Sequence, residues 1–210
     1  MPVVLHRQEN GYQIAVWQMQ EALAELKQHP YALPFVQEAS LFKSEQRQRE
    51  WLSTRILLHN LLGRKVQIRY SSQGKPSLLE SDYSLGISHS GEFVAIILSA
   101  RRAVSIDLET PPYAQIHRVA SRVFSPQEFF YPSAESQAYE PLLWCAKETL
   151  FKLVDWEGID FRRDFKVAPF QLKPIKGSFH AQVYRAGELV LNQELHYHRT
   201  QGFIYTYALQ

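Results

Sequence analysis

The chain has 210 residues, enough for one large domain or two small ones with a buried core. Apolar residues make up 45% and charged residues 21%, which are the proportions of a folded globular chain and exclude general disorder. The formal net charge is +2, from 23 Lys and Arg against 21 Asp and Glu, so a nucleic-acid-binding protein is disfavoured and any anion site must be local.

The compartment is predicted from cysteine content and the absence of targeting patterns. The single cysteine, Cys145, excludes an internal disulfide and fits a reducing compartment. The start of the chain lacks the apolar stretch and small-residue cleavage site of a secretory signal. No window approaches the roughly 18 uninterrupted apolar residues of a membrane span. We therefore expect a cytoplasmic protein with no membrane partner.

The first half of the chain alternates predicted strands and helices. A helix over 19–28 consists of good helix formers and stops before Pro30. A turn at 71–76 contains Gly74 and Pro76. The predicted strands of this half and its border are 12–17, 66–70, 83–88, 93–99 and 103–108. The last three are close enough together to be joined as hairpins.

The clearest helix of the first half runs from about Ser44 to Leu62. Ser44 is a suitable N-cap, and Gly63 stands where a glycine commonly follows the last helical turn. Apolar residues recur at spacings of three, four and seven, as on a buried helical face. The other face carries Arg49 and Arg55.

The second half is predicted to begin with helices and to end in strands. The predicted elements are helices at 115–124 and 141–154, and strands at 165–172, 178–184, 189–198 and 203–209. Since each half mixes helices with hairpin-linked strands, we predict an α+β fold of two subdomains, residues 1–102 and 103–210.

Two carboxylates share one face of the strand at 103–108. Side chains alternate along a strand, so Ser105, Asp107 and Glu109 face away from the apolar residues between them. Two neighbouring acids repel each other unless a cation joins them, and oxygen ligands of this kind suit Mg²⁺. The simpler alternative is an exposed strand face with two solvated acids.

A second cluster lies on the predicted helix at 141–154. Its apolar stripe is formed by residues 143, 146, 150 and 153, whereas Trp144, Glu148 and Lys152 stand four apart on another face. Such a glutamate can add a third carboxylate to a metal, and such a lysine can hold a phosphate. An ordinary surface Glu–Lys pair is the alternative.

A third element, Gly86–Gly91, places Ser88 and His89 between two apolar strands. Hydroxyl, imidazole and backbone N–H groups can bind an anion there, and a plain hairpin turn is the alternative. Adjacent strand residues point to opposite faces, so these two residues are poorly placed to act as nucleophile and base for each other.

In combination and in this order, these motifs resemble the 4'-phosphopantetheinyl transferase superfamily. The strand motif I-D-L-E at Ile106–Glu109 precedes W-x-x-K-E-T-x-x-K at Trp144–Lys152, and Asp107 and Glu148 are 41 positions apart. Gly74–Leu78 and Ile87–Gly91 are similar to the G-K-P and S-H-S elements of the larger, pseudo-dimeric subfamily. Phe124–Glu128 resembles the F-[ST]-x-x-E segment that lies between the two signatures.

The resemblance implies a holo-[acyl-carrier-protein] synthase type of transferase, most simply a monomer, with two similar α+β halves and coenzyme A in the cleft between them. Asp107, Glu109 and Glu148 would hold Mg²⁺, with Glu148 also the candidate base. The residues implied to bind coenzyme A are Arg49, Lys75, Ser88, His89 and Lys152. Lys152 would also stabilise developing charge, and Asp107 would serve catalysis through the metal.

The implied protein partner is an acyl or peptidyl carrier protein, which is usually acidic and presents its serine near the start of a helix. We expect an apolar docking face with a basic rim, and the segments Val123–Phe124 and Phe129–Tyr131 are candidates for part of it. These aromatics can instead belong to the core. Other functions compatible with the sequence are a non-catalytic coenzyme A or carrier-binding module, another metal-dependent phosphoryl enzyme, and a structural protein.

Overall fold

The computed structural model describes residues 3–9 and 11–210, which divide into two compact units. The first unit ends at Arg101, and the second runs from Arg102 to Gln210. Both units combine helices with antiparallel strands, which confirms the predicted α+β class.

The first unit is built on a four-stranded antiparallel sheet with the order β1-β2-β6-β5. Its elements are β1 (Val3–Glu9), β2 (Tyr12–Gln18), α1 (Leu23–Gln28), α2 (Val36–Ala39), α3 (Glu45–Leu62), β3 (Ile68–Tyr70), β4 (Pro76–Leu78), β5 (Ser84–Ser90) and β6 (Phe93–Ser99). β3 and β4 form a separate hairpin, and α3 packs on β2 and β6. α1 begins later than predicted because Met19 N–H still donates to Glu92 O at 2.7 Å, beside the end of β2.

α3 has the predicted ends, which its local sequence explains. Ser44 Oγ accepts a hydrogen bond from Arg47 N at 3.4 Å, and Gly63 closes the helix with φ of 65°. The prediction that Arg55 lies on a polar face is wrong, since this side chain is only 5% exposed. Its guanidinium carbon lies 3.3 Å from the centre of the Trp51 ring and 5.3 Å from that of Phe35. Stacking on aromatic rings therefore accompanies the burial of this charge.

The second unit contains a five-stranded antiparallel sheet with the order β7-β11-β10-β9-β8. Its elements are β7 (Val104–Glu109), α4 (Ala114–Val123), α5 (Ser136–Val154), α6 (Phe161–Asp164), β8 (Phe165–Val167), β9 (Lys176–Arg185), β10 (Glu188–Arg199) and β11 (Ile204–Leu209). α5 packs on β7 and β11, and α4 packs on α5. β8 is shorter than the strand predicted at 165–172 because the chain leaves the sheet after Val167. Beyond this point, the Phe170 ring stacks on the Phe179 ring, with ring centres 4.3 Å apart.

The predicted hairpin between the strands at 93–99 and 103–108 does not form. β7 pairs with β11 instead, so that Asp107 lies opposite Thr206, nearly a hundred residues later in the chain. Strand patterns identify a strand but not a distant partner, which is why the sequence suggested the nearer one.

The two units share a topology. In the first unit, β2 pairs with the last strand, β6, and β6 also pairs with β5. In the second unit, β7 pairs with the last strand, β11, and β11 also pairs with β10. In each, the long helix packs on the first and last of these three strands. This structural similarity has no counterpart as a repeat in the sequence.

α5 starts at Ser136, five residues earlier than predicted, and contains Pro141. A proline near the start of a helix removes only the bond to the carbonyl four residues earlier. That carbonyl belongs to Gln137, which is exposed to water. Among the helices of the described residues, none combines the length and apolarity needed to cross a lipid bilayer.

Candidate active site

The carboxylates of β7 lie beneath α5 rather than on a solvated face. Trp144 Nε1 donates to Glu109 Oε1 at 2.9 Å, and Lys152 Nζ donates to Asp107 Oδ1 at 2.6 Å. Asp107 is only 4% exposed, which rules out the alternative of two solvated surface acids. Since Trp144 and Lys152 flank Glu148 at four-residue spacing, Glu148 projects from α5 toward this pair of acids.

α5 also has the two predicted faces. The apolar positions Leu143, Ala146, Leu150 and Leu153 are buried in the core of the second unit. The face with Trp144, Glu148 and Lys152 is half-buried. On the sheet side, Thr149 Oγ1 lies 2.6 Å from Thr206 Oγ1. The helix is therefore fixed against β11 next to the carboxylates.

The cluster of three acids and one lysine perturbs the ionisation of Glu148. Burial raises the pKa of Glu148 to about 7, and the charges of Asp107 and Glu109 act in the same direction while Lys152 opposes them. Desolvation and like charges both disfavour the ionised carboxylate. Without a bound cation, the protonated form of Glu148 is therefore favoured over a wider pH range than in an ordinary glutamate.

The donor set fits a hard divalent cation by its chemistry. Three partly or fully buried carboxyl groups, those of Asp107, Glu109 and Glu148, lie near a single ammonium, that of Lys152. Acidic groups therefore outnumber basic groups in this cluster, and a bound cation would balance them. As the side chains lie, no three His, Cys, Asp or Glu residues within 3–9 and 11–210 converge closely enough to hold a metal. The ion pair of Asp107 with Lys152 is one contact that would have to rearrange.

Lys147, next to Glu148 in the motif, is wholly buried and faces away from these acids. Its ammonium donates to Glu128 Oε2 at 2.8 Å and to the carbonyls of Val123, Phe161 and Phe165 at 2.8–3.1 Å. Burial lowers the pKa of Lys147 to about 8, against the opposing charge of Glu128. The two adjacent motif residues thus have different roles, one in the core and one in the candidate site.

Glu128 completes this buried network. One carboxylate oxygen accepts hydrogen bonds from the backbone N and hydroxyl of Ser125 at 2.7 and 2.8 Å, and the other from Val167 N at 2.9 Å. The pair of Lys147 and Glu128 therefore links α5 to the segments that precede it and to α6 and β8. This connection fixes the position of α5, and with it the side chains that face β7.

In the first unit, His89 belongs to a polar triad with Arg47 and Glu50. Arg47 Nη1 lies 2.7 Å from His89 Nε2 and 2.8 Å from Glu50 Oε2, while His89 Nδ1 lies 3.4 Å from the same carboxylate oxygen. Arginine can only donate, so Nε2 of His89 accepts and Nδ1 carries the proton. The triad leaves the imidazole and guanidinium partly exposed.

The other residues predicted in the first unit occupy different environments. Ser88 is buried while His89 is partly exposed, as expected for neighbours on a strand. Arg49 is half-buried, and its Nη2 donates to Met19 O at 2.5 Å. It is therefore held against the end of β2.

Lys75 lines a surface cavity of about 330 Å³ in the first unit, together with Arg69, Tyr83 and Ser84. The backbone of Lys75 is fixed by the predicted turn, since Ser71 N donates to Lys75 O at 2.9 Å and Ser71 Oγ accepts from Lys75 N at 3.0 Å. Two cationic side chains and several hydroxyl groups give this cavity the chemistry of an anion site.

Comparisons with known proteins point to the family indicated by the two motifs. The sequence model of the 4'-phosphopantetheinyl transferase superfamily matches residues 103–208, about half of the chain. The chain belongs to the 4'-phosphopantetheinyl transferase superfamily. It is 34% identical over 116 residues to the 4'-phosphopantetheinyl transferase AcpT of Escherichia coli O157:H7, covering 50% of this chain and 57% of that protein. It is 31% identical over 116 residues to AcpT of Salmonella typhi, covering 50% of this chain and 58% of that protein. The matched region thus spans little more than half the length of these relatives.

The aromatic segment between the two superfamily motifs divides between core and surface. Phe124 is fully buried, and Phe130 packs edge-on to Tyr139 at 5.7 Å and to Phe170 at 5.6 Å. Phe129 differs, being 41% exposed. Most of these aromatic residues therefore belong to the core, as the second of the two interpretations of the sequence predicted. Within this segment, only Phe129 has an exposed ring.

Within the first unit, the structure brings two residues to His89 that sequence reasoning missed. Arg47 and Glu50 stand three apart on α3 and both contact His89. In the second unit, Trp144 was already singled out by its spacing, and the structure adds its hydrogen bond to Glu109. The spacing of Arg47, Glu50 and the already noted Arg49 on one helix was the available signal. The contact of these residues with His89 could not be predicted from the sequence, because it depends on how α3 packs on the sheet.

Proposed function

We propose that the protein transfers the 4'-phosphopantetheine group of coenzyme A to a serine of an acyl or peptidyl carrier protein, with Mg²⁺ and in the cytoplasm. The observation that carries the proposal is the cluster of Asp107, Glu109, Glu148 and Lys152 within the unit that matches the superfamily. In the reaction, a bond forms between the serine oxygen and the β-phosphorus of coenzyme A. The bond from that phosphorus to the leaving 3',5'-ADP breaks.

Asp107, Glu109 and Glu148 are the residues proposed to hold the metal. When bound, Mg²⁺ would neutralise charge on the pyrophosphate and on the leaving group. Lys152 lies beside Asp107 and can add a positive charge where negative charge develops. Trp144 keeps Glu109 oriented through its indole hydrogen bond.

Glu148 is the proposed acceptor of the serine proton. Without the metal, burial and the neighbouring acids raise its pKa above that of an ordinary glutamate, and a bound cation would act in the opposite direction. Glu148 would help to hold the metal, and the same carboxylate is the proposed proton acceptor. Half-burial limits the access of bulk water to this proton transfer.

The first unit is proposed to bind coenzyme A through its cationic and hydroxyl groups. Lys75 lines the cavity with Arg69, and His89 is hydrogen-bonded to Arg47. Arg49 and Ser88 are included by their place in the superfamily motifs. We expect the enzyme to act as a monomer of the holo-[acyl-carrier-protein] synthase type.

Release of 3',5'-ADP, with and without an apo carrier protein, tests this function against its alternatives. The proposal predicts release only when coenzyme A, Mg²⁺ and carrier are all present. Hydrolysis without a carrier would identify a different phosphoryl enzyme. Binding of coenzyme A without any release would identify a non-catalytic binding module.

Asp107→Asn is expected to reduce transfer by about 10²-fold or more, because it removes the carboxylate charge proposed to bind the metal. The nearly identical shape of asparagine should preserve the fold, and the residual activity should require more Mg²⁺. Initial rates across a Mg²⁺ titration measure both effects. Near-normal turnover at ordinary Mg²⁺ concentrations would contradict the assignment of Asp107 to the metal site. The control is Asp155→Asn, in the turn after α5.

Lys75→Ala is expected to raise KM for coenzyme A by about 10- to 100-fold, as for loss of a charged hydrogen bond. Repeating the measurement with dephospho-coenzyme A separates the two phosphate sites. An effect seen only with intact coenzyme A assigns Lys75 to the 3'-phosphate, and an equal effect with both assigns it to the pyrophosphate. Lys65→Ala, which removes an exposed lysine elsewhere in the first unit, is the control. An unchanged KM for Lys75→Ala would remove Lys75 from the site.

A further inference from the structure

The first unit contains a buried arginine outside the set of residues proposed to bind coenzyme A. Arg55 on α3 is 5% exposed, and its Nη1 donates to Trp51 O, one helical turn earlier, at 3.1 Å. Among the residues that the structure describes, no carboxylate forms an ion pair with this guanidinium, and its Nε has no hydrogen-bond partner. A buried charge without an ionic partner costs free energy, which points to a role beyond stabilising the fold.

Aromatic side chains take the place of a carboxylate around Arg55. Its guanidinium carbon lies 3.3 Å from the centre of the Trp51 ring, and the Trp51 ring stacks on that of Tyr70 with ring centres 5.9 Å apart. Burial lowers the pKa of Arg55, while the charge of Tyr70 and a hydrogen bond with its side chain act in the opposite direction. Arg55 therefore interacts with Tyr70 both directly and through the Trp51 ring.

Tyr70 connects this stack to the cavity that contains Lys75. It is the last residue of β3, and it lines the cavity of about 330 Å³ together with Arg69 and Lys75. β3 and β4 form a separate two-stranded sheet, in which Tyr70 lies opposite the residue that follows Lys75. A two-stranded hairpin is marginally stable by itself and needs packing against a helix or further strands. The Tyr70 ring provides such a contact to α3, so Arg55 and Trp51 help to set where the two cationic side chains lie.

We propose that Arg55 is a positioning residue for the coenzyme A cavity, an inference that rests on the proposed function. Its guanidinium holds the side chains of Trp51 and Tyr70, and through them the β3–β4 hairpin that presents Arg69 and Lys75 to an anion. Arg55 itself is buried and does not line the cavity. A planar guanidinium can stack on one ring and hydrogen-bond to another side chain at the same time, whereas an ammonium cannot stack in this way.

The test is steady-state transfer at varied coenzyme A concentration, with Arg55→Met as the main variant. KM for coenzyme A is expected to rise by about 5- to 20-fold, because the cavity is less pre-organised, while kcat stays within about twofold. Arg55→Lys, a milder change that keeps the charge, should also raise this KM because lysine cannot stack flat on Trp51. Arg101→Met removes an exposed arginine of the first unit and should leave the KM unchanged. Circular dichroism shows which variants are folded.

A double variant separates positioning from an independent effect. Since Arg55 acts through the hairpin that carries Lys75, adding Arg55→Met to Lys75→Ala should raise the KM for coenzyme A by less than about threefold over Lys75→Ala alone. Binding of 3',5'-ADP, measured by titration calorimetry, should show the same pattern in the absence of catalysis. Effects of the two substitutions that multiply in full would overturn the proposal.

Failure of this proposal can be distinguished from failure of the proposed function. If the wild type transfers and a folded Arg55 variant, with Met or Lys, keeps the wild-type KM, then Arg55 does not position the cavity and the function stands. A lower kcat at unchanged KM would assign Arg55 to fold stability alone and would likewise overturn its positioning role. If the wild type neither transfers nor binds 3',5'-ADP, the proposed function fails and the role of Arg55 fails with it.

Discussion

Replacing Lys147 with methionine is expected to lower the free energy of unfolding by about 3–5 kcal/mol, the usual cost of breaking a buried ion pair. The substitution fills similar space but removes the ammonium from its four surrounding oxygen acceptors and leaves the Glu128 carboxylate without its cationic partner. Urea unfolding measures the loss.

Two control variants make this prediction specific to the buried pair. Lys173→Met changes an exposed lysine of the same unit and is expected to cost less than about 0.5 kcal/mol. Combining Lys147→Met with Glu128→Gln should recover part of the lost stability, because no isolated charge then remains. A loss for Lys147→Met no larger than that for Lys173→Met would contradict the stabilising role of the buried Lys147–Glu128 pair.

Glu148→Gln is expected to have opposite effects on activity and on stability. Transfer should fall by about 10²- to 10⁴-fold, because glutamine cannot accept the serine proton. The folded-state pKa of about 7 lies above the ordinary value of 4.5, so the stabilising contribution of Glu148 is complete below pH 4.5 and is lost as pH rises through 7. Without metal, the variant should therefore be more stable than the wild type at pH 8, by roughly 1–3 kcal/mol.

Thermal unfolding in the presence of a chelator, at several pH values from 4 to 8, measures the stability effect. The advantage of Glu148→Gln over the wild type should be absent at the acidic end and grow up to about pH 7. Glu194→Gln, an exposed glutamate on β10, is the control and should show no comparable trend. A constant difference between Glu148→Gln and wild type at all pH values would show that Glu148 is not held in an unfavourable ionised state.

Local sequence signals predicted the helices that build the two halves. Ser44 and Gly63 mark the ends of α3, and the spacing of apolar residues separated the buried face of α5 from the face with Glu148. These features depend only on residues within one or two helical turns. The α+β class and the elements that carry the motifs could therefore be predicted with no knowledge of the packing.

Features that depend on distant contacts could not be predicted in this way. The strand partner of β7 comes from the end of the chain, and the burial of Arg55 depends on the aromatic rings of Phe35 and Trp51. The sequence placed Asp107 and Glu109 on one face of a strand but could not show that α5 covers it. Lys147 and Glu148 are neighbours in a motif, and only the packing shows that one is structural.

The central claim is that this chain transfers phosphopantetheine to a carrier protein, and the intact mass of an apo carrier protein tests it most directly. The carrier is incubated with the protein, coenzyme A and Mg²⁺, and its mass is recorded before and after. We predict an increase equal to one phosphopantetheine group, absent when the modified serine is replaced by alanine and formed far more slowly when Glu148→Gln is used. An unchanged carrier mass, with folded protein and several acyl and peptidyl carriers, would contradict the proposed function.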